Sequence, residues 1–229
     1  MAKGLALHIG VDKVNRDHRF VPNIPQLRCA ENDARELQRL TSQRGMLASV
    51  LLVNEFATRE RVLREITLAS NQLQDGDFFI LTFSGHGLSG PDKTKLEISN
   101  EYWCLCDRVI SDDTITRLLL TFEKGVRILI ISDCCYAAGI VDLKHIKYNG
   151  KHQVILMAAT SEYRLARQLE QYSLFFFHLK QQLESDDFDD YPGFFEKVEA
   201  AMIENDQTPR IEYYGESCSS FKKMKPFRI

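Results

Sequence analysis

No apolar run in this 229-residue chain approaches the roughly 18 residues a membrane-spanning helix needs, and its short apolar start, Gly4 to Val11, contains His8 and no following small-residue cleavage site. The sequence therefore predicts a soluble, cytoplasmic chain with no membrane partner. Charge of one sign is also lacking: 29 Lys and Arg against 32 Asp and Glu leave a net charge of -3, with no general attraction to nucleic acid. Without a Pro/Gly/Ser-rich linker, an internal repeat or a low-complexity tract, residues 1–229 are expected to form one domain. The six cysteines include no C-x-x-C pair; Cys104-x-Cys106 has the wrong spacing for zinc, and the adjacent Cys134 and Cys135 do not suit a secreted disulfide framework. They read as reduced thiols, with Cys104 and Cys106 as small buried side chains of a strand.

What the chain does have is a succession of short apolar runs separated by helical patterns. Leu5 to Val11, Ser49 to Val53 and Phe78 to Phe83 read as strands. Between them lie a helix from Cys29 to Arg44, with Ala30, Ala34, Leu37 and Leu40 at helical spacing, and a second helix capped by Thr58 with Val62, Leu63, Ile66 and Leu73 as its stripe. This β-α-β-α-β order predicts an α/β fold: a parallel sheet with right-handed crossovers and helices on both faces. Further strands are expected at Tyr102–Cys106, Ile128–Ile131 and Val154–Ala159, with Arg210–Tyr214 as an edge strand. Helices are expected from Asp112 to about Phe122, Leu174 to Leu183 and Phe194 to Ile203.

Two strand ends concentrate the chemistry. The run Ile128 to Ile131 ends in Ser132-Asp-Cys-Cys135, and Phe78 to Phe83 ends in Ser84-Gly-His-Gly87. Ligands and catalytic groups in parallel sheets gather outside the carboxyl ends of strands. A thiol becomes a nucleophile when a proton acceptor stands beside it, and a histidine flanked by glycines can take that place. The amides of Gly87 and Cys135 are candidates for an oxyanion hole.

These motifs carry a resemblance. Ser84-Gly85-His86-Gly87 followed by Asp133-Cys134-Cys135 resembles the catalytic pair of the caspase-like cysteine peptidases, specifically metacaspases and their bacterial relatives. Weaker similarity runs along the chain at Glu31-Asn-Asp-Ala34, Asn100-Glu-Tyr-Trp103, Ile110-Ser-Asp-Asp113, Gly125-Val-Arg127 and Gln207-Thr-Pro209. The resemblance implies a three-layer sandwich around a mostly parallel sheet of about six strands. It implies Cys135 as nucleophile and His86 as general base, with Cys134 at a position the family usually fills with serine. Asp33, Ser84 and Asp133 match the family's primary specificity pocket, whose two carboxylates suit a protein or peptide substrate with Arg or Lys before the cleaved bond. No cofactor is required for such chemistry. Asp112, Asp113 and Asp142 fall at the family's calcium-ligand positions, with Asn100 in place of a fourth acid, which leaves room for a weaker calcium site. A monomer is expected, and residues 142–152, which include Lys144, Lys147 and Lys151, form a candidate self-cleavage loop between segments 1–141 and 153–229.

Other readings compete. Tyr136, Ala137 and Ala138 replace the family's His, Ser and Gly, so a catalytically inactive interaction domain is the alternative. Gly85-x-Gly87-x-x-Gly90 fits a dinucleotide fingerprint, though without the expected ribose-binding acid. The acidic run Asp186–Asp190 lacks the Gly and terminal Glu of an EF-hand loop and reads as a solvated connection. His8 reads as a satisfied core histidine, and His145 and His152 as residues of a polar loop.

Overall fold

The computed structural model describes residues 2–15, 18, 21, 24–91, 99–141, 152–161, 166–205, 207–215 and 218–229. The strands, in chain order, are β1 (Gly4–Gly10), β2 (Ala48–Val53), β3 (Phe78–Ser84), β4 (Gly87–Pro91), β5 (Ser99–Cys104), β6 (Val109–Ser111), β7 (Arg127–Asp133), β8 (Gln153–Ala158) and β9 (Arg210–Tyr214). The helices are α1 (Ala30–Ser42), α2 (Arg59–Gln72), α3 (Asp112–Leu119), α4 (Leu174–Ser185), α5 (Tyr191–Ile203) and α6 (Cys218–Phe221).

Six strands form the central sheet in the order β2-β1-β3-β7-β8-β9, parallel throughout except for the antiparallel edge strand β9. β3 and β7 are buried at every position, as continuous apolar runs in a sheet covered on both faces should be. Their side chains alternate between two cores: Phe79, Leu81, Phe83, Ile128 and Ile130 face one, while Phe78, Ile80, Leu129 and Ile131 face the other. The first core is closed by α2, α3 and the small sheet, through residues such as Val62, Ile66, Ile115 and Trp103; the second by α1, α4, α5 and α6, through Leu37, Leu179, Phe194 and Phe221. The result is the three-layer α/β sandwich.

Element ends follow their local chemistry. Thr58 accepts a hydrogen bond from Arg61 N–H and caps α2 as predicted. Helix α3 stops at Leu119, earlier than expected, with Asp112 and Asp113 in its first turn and Ser111 as its cap. The predicted strand Tyr102–Cys106 is observed as Ser99–Cys104, the middle strand of a second sheet, β4-β5-β6, whose outer strands the apolar pattern does not mark. Trp103, fully buried, fastens this small sheet to the core: its ring stacks on Phe83 with centroids 4.7 Å apart, and its Nε1–H donates to Ser132 Oγ at 3.0 Å. Because Gly87 enters β4, no helix follows Gly85–Gly90, and a dinucleotide site would need one. His8 is the satisfied core histidine expected, held between Thr82 Oγ1 and Thr41 Oγ1. His152 is not a polar-loop residue: it immediately precedes β8 and is buried, 2.9 Å from Phe122 O. Among the described residues no helix is long and apolar enough to cross a membrane.

Candidate active site

The chain leaves β1 first toward β2 and then returns on the other side of β1 to β3, which puts the topological switch between β1 and β3. The carboxyl ends of β1, β3 and β7 lie side by side there: Gly10 pairs with Ser84, and Ser84 with Asp133. Each motif residue therefore arrives at the same edge of the sheet.

His86 sits in the link from β3 to β4, and this link is pinned by backbone. Gly85 N–H donates to Asp133 O at 3.2 Å and Cys104 N–H to His86 O at 2.9 Å. The second bond makes Gly87 and Trp103 a wide antiparallel pair, in which the Gly87 amide is directed away from β5 and stays out of the ladder. A Cβ on Gly87 would lie 1.8 Å from Cys135 O and 2.9 Å from Cys134 Sγ, so only glycine lets the histidine link lie against the nucleophile loop.

The imidazole is oriented by a group that no side-chain pattern reveals. His86 Nε2 lies 2.7 Å from Pro25 O. A carbonyl only accepts, so Nε2 carries the proton, and the neutral ring keeps its lone pair at Nδ1. Burial holds the His86 pKa below its ordinary value of 6.5, against smaller opposing effects of the Pro25 carbonyl and the Asp12 charge. Asp12 also fixes the segment that carries Pro25: its carboxylate accepts from Ala30 N–H at 2.9 Å and Glu31 N–H at 3.3 Å, capping α1 from outside, and its carbonyl accepts from Leu27 N–H.

The two thiols have different surroundings. Cys134 is buried, its sulfur 3.4 Å from Ser132 Oγ, and burial pushes its pKa far up. Cys135 is half-buried, and its sulfur accepts the Ala166 N–H at 3.3 Å. Burial raises the Cys135 thiol as well; the Ala166 amide works in the other direction. Both shifts favour the uncharged forms, a neutral thiol and a neutral imidazole. Tyr136 turns the chain sharply after the nucleophile with φ at 57°, a left-handed conformation that costs a non-glycine residue about 1 to 2 kcal/mol. Thr160 secures that turn: its hydroxyl donates to Cys134 O at 3.2 Å and accepts from Ala137 N–H at 3.3 Å.

The predicted pocket residues come together, with one addition. Ser84 Oγ donates to Asp33 Oδ2 at 2.8 Å, Ser173 N–H donates to Asp33 Oδ1 at 3.2 Å, and Ser173 Oγ donates to Asp133 Oδ2. Ser173, the cap of α4, is a partner of these acids that the sequence reading did not single out. Asp33 is 0% and Asp133 6% exposed, and no Lys or Arg pairs with either among the described residues. Burial raises both pKa values, that of Asp133 to about 7, and the Asp133 charge adds to the rise at Asp33.

The candidate calcium residues are brought together in part. Asn100 Nδ2 donates to Asp112 Oδ1 at 3.1 Å and to Asp113 Oδ2 at 3.4 Å, and Glu101 N–H donates to Asp112 Oδ2 at 3.2 Å. The nitrogen of the amide, not its oxygen, faces the carboxylates, and Asn100 Oδ1 is buried without a partner. So arranged, the amide nitrogen bridges the two carboxylates, and a cation between them would need the amide oxygen turned inward. The fourth expected ligand, Asp142, and all of the candidate self-cleavage loop except His152 lie outside the described residues.

A three-layer sandwich with a thiol and an imidazole at adjacent strand ends, beside a buried pair of acids, is the setting in which comparison with known proteins becomes informative. Residues 3–224 match the caspase domain family, and the chain belongs to it. It is 28% identical over 96 residues to Metacaspase-5 of Trypanosoma cruzi, a match that covers 38% of this chain and 21% of that protein. Metacaspase-5 of Trypanosoma brucei brucei is 25% identical over 116 residues, covering 42% of this chain and 22% of that protein. These matches thus span only about a fifth of the relatives' own length. The crystal structure of protein GSU0716 from Geobacter sulfurreducens superimposes with a TM-score of 0.85 at 25% identity, covering 99% of each chain. Caspase and metacaspase relationship supports cysteine peptidase chemistry for this fold.

Proposed function

We propose that the protein is a cysteine endopeptidase that hydrolyses peptide bonds after Arg or Lys in protein or peptide substrates, acting as a cytoplasmic monomer. The observation that carries the reading is the pairing of Ser84 with Asp133 at the neighbouring carboxyl ends of β3 and β7, just before His86 and Cys135, with Asp33 of α1 hydrogen-bonded to Ser84. His86, neutral and with Nδ1 free, accepts the Cys135 proton as the sulfur attacks the scissile carbonyl. The amides of Gly87 and Cys135 receive the developing oxyanion. The imidazolium, steadied through Nε2 by the Pro25 carbonyl, then protonates the leaving amine. Water, deprotonated by the same ring, cleaves the thioester and restores the thiol. Asp33, Ser84 and Asp133 bind the cationic side chain before the cut, with Ser173 holding both acids.

Fluorogenic peptides ending in Arg, Lys and Asp test the reading directly. Release is expected from the first two only; equal background from all three would sink it and favour the inactive interaction domain. Self-cleavage within 142–152 belongs to the same reading, and it would appear as two fragments by intact mass.

Calcium is expected to act differently here from a site built of acids alone. With the Asn100 amide already bridging Asp112 and Asp113, hydrolysis by the wild type is expected to be unchanged by a chelator. Asn100→Asp puts three carboxylates together without a bridging donor and should cost about 1 to 3 kcal/mol of stability, recovered on adding calcium. Melting curves of this variant with calcium and with chelator check it, and superimposable curves would refute it.

A further inference from the structure

At the opposite end of the sheet from the dyad, where β7 begins, lies a cavity of about 520 Å³ lined by Asp75, Gly76, Arg127, Ser220, Met224, Lys225 and Arg228, among others. Arg127 is only 6% exposed. A guanidinium carries five N–H donors, and a buried one ordinarily meets a carboxylate. Here its hydrogen-bond acceptors are one carbonyl, Gly76 O at 3.1 Å, and one thioether, Met224 Sδ at 3.1 Å, a weak acceptor. The rings of Phe78 and Phe221, packed edge to face with each other, lie 5.1 and 5.9 Å from its Cζ and flank the cation without neutralising it. No carboxylate lies within ion-pair distance of it among the described residues. The neighbouring acid Asp77 is occupied by the backbone N–H groups of Lys3 and Gln74 and by the Lys3 ammonium. Two further cations stand at the cavity, Lys225 and Arg228, both leaning on Asp186 at 2.9 and 3.6 Å through partly exposed pairs of the kind that are worth little and exchange readily.

We infer that this cavity is a binding site for a small oxyanion, a phosphate or carboxylate group, held bidentately by the Arg127 fork with Lys225 and Arg228 turning in from Asp186. The volume exceeds that of the anion alone and is in the range of small-molecule sites, so the group would be carried on a larger metabolite. The guanidinium, planar and already oriented by its aromatic neighbours, loses little freedom on binding. The site is independent of the peptidase reading; it shares with it only β7, which runs from Arg127 to Asp133.

The test uses the whole chain and two probes, sodium phosphate and sodium acetate, against chloride at constant ionic strength. A saturable rise in melting temperature with at least one probe is expected, together with its loss in Arg127→Lys, which keeps the charge and removes the fork. Lys225→Ala, at a partly exposed position, should weaken half-saturation about tenfold while folding normally, and so keeps the test open should Arg127→Lys prove unstable. Which probe acts assigns the group as phosphate or carboxylate. A rise equal to that in chloride, or one that survives both substitutions, would overturn the assignment.

Discussion

Alanine at Cys135 is expected to lower peptide hydrolysis by about 10⁴- to 10⁶-fold, because removing the nucleophile disables every group that acts with it. Alanine at Cys134 should leave the rate within about tenfold and instead cost about 1 to 2 kcal/mol of stability, the result of emptying a buried site. The structure gives the physical basis for this asymmetry. Cys134 lies in the core against Ser132, its thiol raised far beyond reach at neutral pH, whereas Cys135 is half-buried with an amide already directed at its sulfur. His86→Ala should fall between them, at about 10²- to 10⁴-fold, the usual value of a positioned general base. The His86 pKa, held below 6.5 by burial, keeps the ring able to accept a proton into mildly acidic solution. Rates for the three variants on an Arg-terminated fluorogenic peptide decide the matter; a large loss in Cys134→Ala with Cys135→Ala unaffected would move the nucleophile to the other thiol.

How far the sequence alone reached follows from what kind of group does each job. The strands that end at the site were legible because they are uninterrupted apolar runs, and a run such as Phe78 to Phe83 has one explanation, burial on both faces. His86 and Cys135 were singled out because each carries a side chain with recognisable chemistry at a strand end, and Asp33, Ser84 and Asp133 because they match positions of the family resemblance. Pro25 was not, since it acts through its carbonyl, which every residue possesses. Asp12 was hidden for a related reason: it caps a helix that begins 18 residues later, beyond the local spacing by which caps are recognised, while Cys29 in the cap position makes no side-chain bond. The strands β4 and β6 went unread because one contains two glycines and a proline and the other is three residues long; their pairing is stabilised by β5 and the Trp103 anchor rather than by their own composition. Tyr136 shows the limit most clearly. Its side chain stood out only as a departure from the family's residue, yet what distinguishes the position is its backbone, a left-handed turn that Thr160 holds just after β8.

Substituting Asp133 by Asn should separate binding from folding by moving them in opposite directions. The variant removes one charge that a substrate cation would meet in a closed pocket, a loss worth about 2 to 5 kcal/mol, so kcat/KM on Arg peptides should fall by roughly 30- to several-thousand-fold. Asn keeps an acceptor for the Ser173 hydroxyl, so the junction of β7 with α4 survives. Stability should not fall with activity. The Asp133 pKa, raised by burial from 3.8 to about 7, means that the folded protein binds this proton more tightly than the unfolded chain does. Between those two values the native state holds more protons, and its stability declines as pH rises, by at most about 1.4 kcal/mol per pH unit for one full proton; above about 7 the penalty is complete. Asn carries no such penalty, so the variant should be the more stable protein at pH 8, with a flatter stability profile between pH 4 and 7. The same acids give the wild type a distinctive acid limb: binding of a cationic side chain needs the pocket ionised, so KM for Arg peptides should rise as pH falls through about 7 while the dyad remains competent. Denaturant melts across this pH range, set beside kcat/KM on Arg and on neutral peptides, distinguish the roles. If Asp133→Asn slowed both kinds of peptide equally, Asp133 would be a support for the nucleophile loop and not the residue that reads the substrate.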